Sequence, residues 1–313
     1  VAVGIHAQGF IGIAFETTAG TYVPPTRFFP IVNETLTDNR DHVDRRVIRG
    51  LADNLDILAG YSHVEGDIEM ELMESVLPYF LYVSRNTIVK SGSTDFTYTC
   101  TPTHAAISTT KPGLSITVTR AGVTFGYVGC IVSQMEFSLQ DGIPHVKFSI
   151  QGLGEASQSL PTYTATATDT VYGADKYTIE IPTASQVFDC SDFTVTINDN
   201  AVAENRINGT TQAQFVRFGQ REVTASITRD FSSRTEYDAW KNLTASSVNI
   251  VCTKGVNNSV AIKLANAKRD TYELDGLADQ GTLHMAQIGW QGLYDTTSSK
   301  SYEIIVKCQE SIT

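Results

Sequence analysis

The sequence predicts a mainly β chain built from two equivalent units, each a strand followed by a helix. Three observations carry this expectation. The run His63 to Leu72 alternates strictly, with Glu65, Asp67, Glu69 and Glu71 on one face and Val64, Ile68, Met70 and Leu72 on the other. A second polar row, Glu222, Thr224, Ser226, Thr228 and Asp230, is opposed by Val223, Ala225 and Ile227. Each run is followed at once by a helical signal, and a corresponding hairpin in each half ends on a shared tripeptide, Gln151-Gly152-Leu153 and Gln291-Gly292-Leu293.

The first row is unusual in composition. A half-buried strand normally mixes outward polar types, whereas this one presents four carboxylates and no compensating cation of its own. Such a row requires water and counterions to reach it. Met73, Val76, Leu77, Phe80 and Leu81 then repeat at helical spacing and are placed to cover the apolar face. In the second unit Ser233 and Glu236 form a capping-box pattern, and Tyr237, Trp240 and Leu243 give a helical stripe.

Composition sets the bounds. The 313 residues suffice for two domains or one large β domain, and 42% hydrophobic against 18% charged residues argues against global disorder. The 13 Tyr and 14 Phe favour strands. A formal net charge of -11 argues against a protein held on nucleic acid by phosphate contacts, and suits a surface that must not adhere to a polyanion. Cys100, Cys130, Cys190, Cys252 and Cys308 form no CxxC pair and are odd in number, so reduced and mostly buried thiols are expected. No signal-peptide pattern or transmembrane run is visible, and a cytoplasmic site of synthesis and folding is expected.

In chain order, residues 1–30 read as an extended arm punctuated by glycines and by Pro24-Pro25. Its apolar Phe10, Ile11, Ile13 and Phe15 argue that it docks on something, with an adjacent subunit as one candidate. Residues 38–62 read as a long projecting hairpin or loop, and loops of that length usually serve function. Strands follow at 96–101, 114–120, 124–131, 134–140 and 145–152. Asp141-Gly142 marks a hairpin, its loop expected to exceed two residues because of Pro144. Polar faces carrying Gln134, Glu136 and Ser138, and Lys147, Ser149 and Gln151, extend the surface begun by the acidic row. Residues 154–172 contain a Ser/Thr/Ala-rich linker. The second half then offers strands at 177–181, 193–197, 214–218, 247–253, 259–264, 270–274, 282–292 and 302–308.

Other chemistries are weighed on the same residues. A solvated sheet face is the plainest account of the acidic row taken by pattern alone. Paired same-face carboxylates are compatible with glycosidase chemistry, but no aromatic-lined cleft is readable. Calcium ligation lacks EF-hand spacing. The six histidines show no HxH or HExxH spacing, and no GxSxG, Walker or GxGxxG motif occurs, so no catalytic residue, metal or cofactor is expected.

One stretch carries a family resemblance. Gly9-Phe10-Ile11-Gly12-Ile13-Ala14-Phe15-Glu16-Thr17-Thr18-Ala19-Gly20-Thr21, then Pro25-Thr26-Arg27-Phe28-Phe29-Pro30-Ile31, resembles the start of the tail tube (major tail) proteins of long-tailed bacteriophages, siphophage type. The charged segment ending Asp44-Arg45-Arg46 and the acidic strand with its helix fit the same pattern, and the resemblance is strongest over residues 9–85. It implies two tandem tail-tube-like β-sandwich or barrel domains, each with a flanking α-helix, at 1–158 and 159–313. The first would hold the N-terminal arm and a stacking loop at 38–62. Subunits of the family join inner sheets into a ring, and rings stack into a tube. A duplicated chain favours a trimeric, pseudo-sixfold ring.

On this resemblance Glu65, Asp67, Glu69, Glu71, Glu136, Glu222 and Asp230 are assigned to the lumen. Phe10, Ile11, Ile13, Phe15, Arg45, Arg46 and Arg49 are assigned to contacts between rings or subunits. The expected partners are further copies of the chain, a tape-measure protein, tail terminator and tail-tip proteins, and DNA in unspecific passage, with no membrane anchor. The expected place is the virion tail, assembled in the host cytoplasm. The rival reading is a secreted or surface β-sandwich module for adhesion or carbohydrate binding.

Overall fold

Alternating runs become strands throughout the chain. The computed structural model describes residues 9–45, 53, 56–103, 113–158, 161–163, 171–173, 175–207, 209–274 and 284–312, with Ser157 by its backbone alone. The first half holds β1 (Phe10–Phe15), β2 (Arg27–Phe29), β3 (Asn33–Glu34), β4 (Thr37–Arg45) and β5 (Asp56–Glu71), then α1 (Leu77–Tyr82). After it come β6 (Asn86–Ser91), β7 (Phe96–Pro102), β8 (Leu114–Arg120), β9 (Val123–Gln140), β10 (Ile143–Gly152) and β11 (Gly154–Ser157). The second half holds β12 (Tyr177–Glu180), β13 (Gln186–Val187), β14 (Cys190–Asn198), β15 (Val202–Glu204), β16 (Phe215–Arg217) and β17 (Glu222–Asp230), then α2 (Thr235–Lys241). It closes with β18 (Ala245–Gly255), β19 (Asn258–Leu274), β20 (Met285–Gly292) and β21 (Glu303–Cys308).

The pairings repeat between the halves. β1 pairs with β2 and β8, as β12 pairs with β13 and β18. β5 lies between β4 and β10, as β17 lies between β14 and β20. β8 and β11 flank the N-terminal part of β9, as β18 and β21 flank that of β19. The β6–β7 hairpin belongs to the first half by sequence but adds to β21 of the second.

Two pairs of expected strands are single long strands. The runs at 124–131 and 134–140 join as β9, and those at 259–264 and 270–274 join as β19. Each carries a bulge where its C-terminal part meets the neighbouring hairpin strand, with Ser133 the extra residue in β9 and Asp270 in β19. One unpaired residue breaks a period-2 pattern, so a bulged strand reads as two in sequence. It also bends the strand, and the N-terminal and C-terminal parts of β9 and of β19 pair with different neighbours.

Other expectations are corrected. The Asp141-Gly142 hairpin has a two-residue turn, because Ile143 pairs with Gln140. Both turn residues have positive φ, 49° and 76°, as a tight hairpin of this twist requires. Pro144 sits in the strand opposite Leu139. Residues 154–157, at the head of the segment expected to contain a linker, form β11. The hairpin expected at 38–62 is found where the chain is described: β4 and β5 form a two-stranded ribbon, with Thr37 opposite Glu65 and Arg45 opposite Asp56.

The core is one contiguous cluster containing residues of both halves, among them Ile68, Phe80, Phe137, Phe148, Val195, Ile227, Ile262 and Trp290. α1 covers the apolar face of the sheet as expected, with Phe80 stacked on Phe148 at 4.2 Å between centroids. α2 departs from its pattern. The N-cap is Arg234 and makes no side-chain cap bond, Ser233 Oγ accepts a long 3.4 Å bond from Thr235 N, and the Glu236 carboxylate accepts from Arg229 and Arg269 instead of completing a capping box. Charge-assisted bonds to two guanidiniums outcompete a neutral cap. α2 has no buried residue; Tyr237 and Trp240 lie against Tyr272, and Leu243 is exposed. Of the five thiols, Cys100, Cys130, Cys252 and Cys308 are buried and Cys190 half-buried.

Candidate functional site

The acidic row belongs to a sheet that crosses the whole chain. Its strand order is β5–β10–β9–β14–β17–β20–β19, with β3 and β4 beyond β5. The join between the halves is β9 to β14, where Gln134, Glu136 and Ser138 stand opposite Asn198, Thr196 and Thr194.

Register places polar residues in rows across this sheet. One row runs Asn33, Glu69, Lys147, Glu136, Thr196, Thr224, Gln291 and Lys268. A second runs Glu71, His145, Ser138, Thr194, Ser226, Gly289 and Thr271. The residues between them in sequence, such as Ile68, Met70, Phe137, Val146, Val195 and Ile227, are buried on the opposite face. All seven carboxylates singled out in the sequence, Glu65, Asp67, Glu69, Glu71, Glu136, Glu222 and Asp230, thus share one polar face. Glu273, opposite Gln287 on β20, joins them. Sequence reasoning missed it, although Thr271 and Glu273 alternate visibly within the expected 270–274 strand.

The expectation of an uncompensated row is corrected by the neighbouring strand. Lys147 on β10 places Nζ 3.1 Å from Asp67 Oδ2. The hydrogen bond to Asp67, with Glu136 and Glu69 nearby, raises the lysine above its ordinary value. Ser149 donates to Asp67 at 2.7 Å, Gln140 Nε2 to Glu69 at 2.7 Å and Asn39 Nδ2 to Glu65 at 2.5 Å. The face nevertheless remains acidic, because Lys147 and Lys268 are outnumbered by the seven carboxylates above, by Glu273 and by Asp192, which stands opposite Thr228. Gly66 interrupts the row for a steric reason: its φ is +146°, and a Cβ there would lie 2.5 Å from the Thr35 carbonyl oxygen.

The second set of predicted residues divides. Ile11 and Ile13 are 0% exposed within the chain's own core, which corrects their assignment to contacts between subunits. The strand that carries them is central, held between β2 and β8, so this part of the arm docks on its own half. Phe10 and Phe15 are half-buried at its ends, against Phe28 and Tyr163, and against Tyr79 and Tyr82. Arg45 is exposed at the far end of the β4–β5 ribbon. Arg46 and Arg49 lie outside the described residues.

Two buried carboxylates complete the site's support. Glu16, from the Glu-Thr-Thr-x-Gly segment, accepts from Gly20 N at 2.7 Å, Gly129 N at 2.7 Å and Ser115 Oγ at 3.0 Å. Burial raises its carboxyl despite those three bonds. Glu74, between β5 and α1, reaches into the second half and accepts from Lys254 Nζ and Asn258 Nδ2, both at 2.8 Å.

Among the described residues no cluster of His, Cys, Asp or Glu is arranged to hold a metal, and no helix is long and apolar enough to cross a membrane. Compared with known families, the chain matches that described as phage tail tube protein, over residues 7–292. No curated protein matches it.

Proposed function

We propose, from the premise that this chain belongs to the phage tail tube protein family, that it self-assembles into stacked rings forming a hollow tube through which phage DNA is ejected. Membership makes it a structural component of the virion tail. The observation that supports self-assembly is the eight-strand run β4–β5–β10–β9–β14–β17–β20–β19. Its two halves join edge to edge at β9 and β14, and its outer edges end on strands that correspond to those two.

A sheet whose free edges match its internal join adds further copies head to tail. A join of that kind either closes into a ring or runs on as a filament. Closure removes the exposed edges that otherwise invite uncontrolled pairing. With two units per chain, at 1–158 and 159–313, three copies give a pseudo-sixfold ring. The polar face then lines the bore, with Glu65, Asp67, Glu69, Glu71, Glu136, Glu222 and Asp230 toward the lumen. An acidic bore repels a phosphate backbone and gives DNA no counterion release to gain by binding.

The exposed β4–β5 ribbon with Arg45 suits contact between successive rings. Assembly would take place in the host cytoplasm around a tape-measure protein, between tail-tip and terminator proteins. The chain performs no catalysis in this role.

Electron microscopy of the purified chain under assembly conditions tests the reading. Uniform hollow tubes or rings are expected. Monodisperse particles under every condition would sink it.

A further inference from the structure

Resting on the tube reading, we infer the residue register by which one copy joins the next: the C-terminal end of β19 pairs antiparallel with β4 of a neighbouring copy, Glu273 opposite Thr37. Fixed points within the chain set this register. Glu65 stands opposite Gln151, and Thr224 opposite Gln291, so β5 and β17 align through the two Gln-Gly-Leu hairpins. Thr37 stands opposite Glu65 and Thr196 opposite Thr224, so Thr37 corresponds to Thr196 and Asn39 to Asn198. The bulges at Ser133 and Asp270 align β9 with β19, so Gln134 corresponds to Thr271, Glu136 to Glu273 and Phe137 to Leu274.

Within the chain, Glu136 pairs with Thr196 and Gln134 with Asn198. The corresponding contact between copies sets Glu273 opposite Thr37 and Thr271 opposite Asn39. The Glu–Thr pair recurs unchanged. Among the described residues both edges are unpaired: β4 has β5 on one side only, and the 271–274 end of β19 has β20 on one side only.

Two further observations fit the same partner. Leu274 is 46% exposed, whereas its counterpart Phe137, covered by β14, is 1% exposed. A second copy's β4 would cover Leu274 in the same way, setting it opposite Leu36. On the buried-side face the register also sets Tyr272 opposite Asp38. The Tyr272 hydroxyl and Asp38 Oδ1 are both buried atoms without a hydrogen-bond partner in the single chain. Buried polar atoms are ordinarily satisfied, and here a donor and an acceptor are brought to facing positions by one join.

Thiol cross-linking tests the register. A chain carrying Thr37→Cys and Glu273→Cys is assembled, oxidised and run on a denaturing gel without reductant. Covalent head-to-tail species ending at a trimer are expected for a three-membered ring, and neither single variant yields them. Glu136→Cys with Thr196→Cys reports the same geometry inside one chain and is expected to close without raising the mass. Thr37→Cys with Thr271→Cys, displaced by two residues, is expected to cross-link far less. Tubes that form without cross-linking through Thr37 and Glu273 would overturn the register and leave the tube reading intact. Absence of rings and tubes from the unaltered chain would instead remove the reading beneath it. Should the double variant not assemble, the two substitutions are carried on separate chains and mixed, and lack of a covalent dimer in the mixed tubes overturns the register equally.

Discussion

Replacing Glu74 by alanine should loosen the hold between the two halves more than any surface change. The Glu74 side chain is 4% exposed and that of Lys254 12%, with 2.8 Å between their charged atoms. Asn258 donates to the same carboxylate at 2.8 Å, and Lys254 Nζ lies 4.2 Å from the Tyr172 ring centroid. Alanine leaves the ammonium buried with only the ring beside it. Stranding one member of a buried ion pair costs about 3–5 kcal/mol, and the orphaned Asn258 donor adds to the upper end of that range. For a chain of this length that lowers the melting temperature by roughly 5–8 °C. The double variant Glu74→Met with Lys254→Met removes both charges at similar volume and should recover most of the loss, because neither ion is then left unpaired. Urea denaturation of the unassembled chain, followed by circular dichroism, measures both. A cost below about 1 kcal/mol for Glu74→Ala, in the range of an ordinary surface change, would refute the claim that this pair is desolvated and joins the halves. So would a double variant no better than the single one.

Two further outcomes are expected. Because burial raises the Glu16 carboxyl above its ordinary 4.5, the folded chain binds a proton there more tightly than the unfolded chain, over the pH range between the two values. That contribution to stability is complete below the unfolded value and is lost as pH rises through the folded one. Glu16→Gln should abolish this segment of the pH dependence in urea midpoints and cost about 1–3 kcal/mol, since its amide N–H2 meets backbone donors; an unchanged pH profile would count against the assignment. In assembled tubes, Glu65→Lys with Glu71→Lys, which spares the Asp67 and Glu69 carboxylates around Lys147, should create salt-sensitive retention of short duplex DNA that unaltered tubes lack. Retention by unaltered tubes at physiological salt would contradict an acidic bore.

The acidic row was legible in the sequence because a strand's side-chain period is two, and nothing outside residues 63–72 is needed to see which face is polar. α1 was legible for the matching reason, since its apolar residues recur at helical spacing directly after that strand. The shared Gln-Gly-Leu tripeptides likewise pointed to a repeat; many strand pairings recur between the halves, whereas β6–β7 and β15–β16 have no counterpart. Lys147 as the partner of Asp67 was not legible: both residues were visible, but only register decides which side chains meet across strands. The bulges hid β9 and β19 as continuous strands, because each inserts a residue that reverses the alternation. Ile11 and Ile13 looked like a docking arm because their covering strands, β2 and β8, come from positions that local pattern does not connect.

By itself, then, the sequence determined the mainly β class, the polar face, the α1 cover, the absence of any readable catalytic motif and the family. Only the tertiary structure decided that the two halves share one sheet, that α2 is anchored by Arg229 and Arg269 rather than capped, and that β4 and the end of β19 are left as matching free edges. The division follows from the range of the forces involved. Periodicity and turn chemistry act over a few residues and are written into each segment, whereas strand pairing joins backbone groups far apart in the chain whose hydrogen bonds carry no mark of their partner in the side chains.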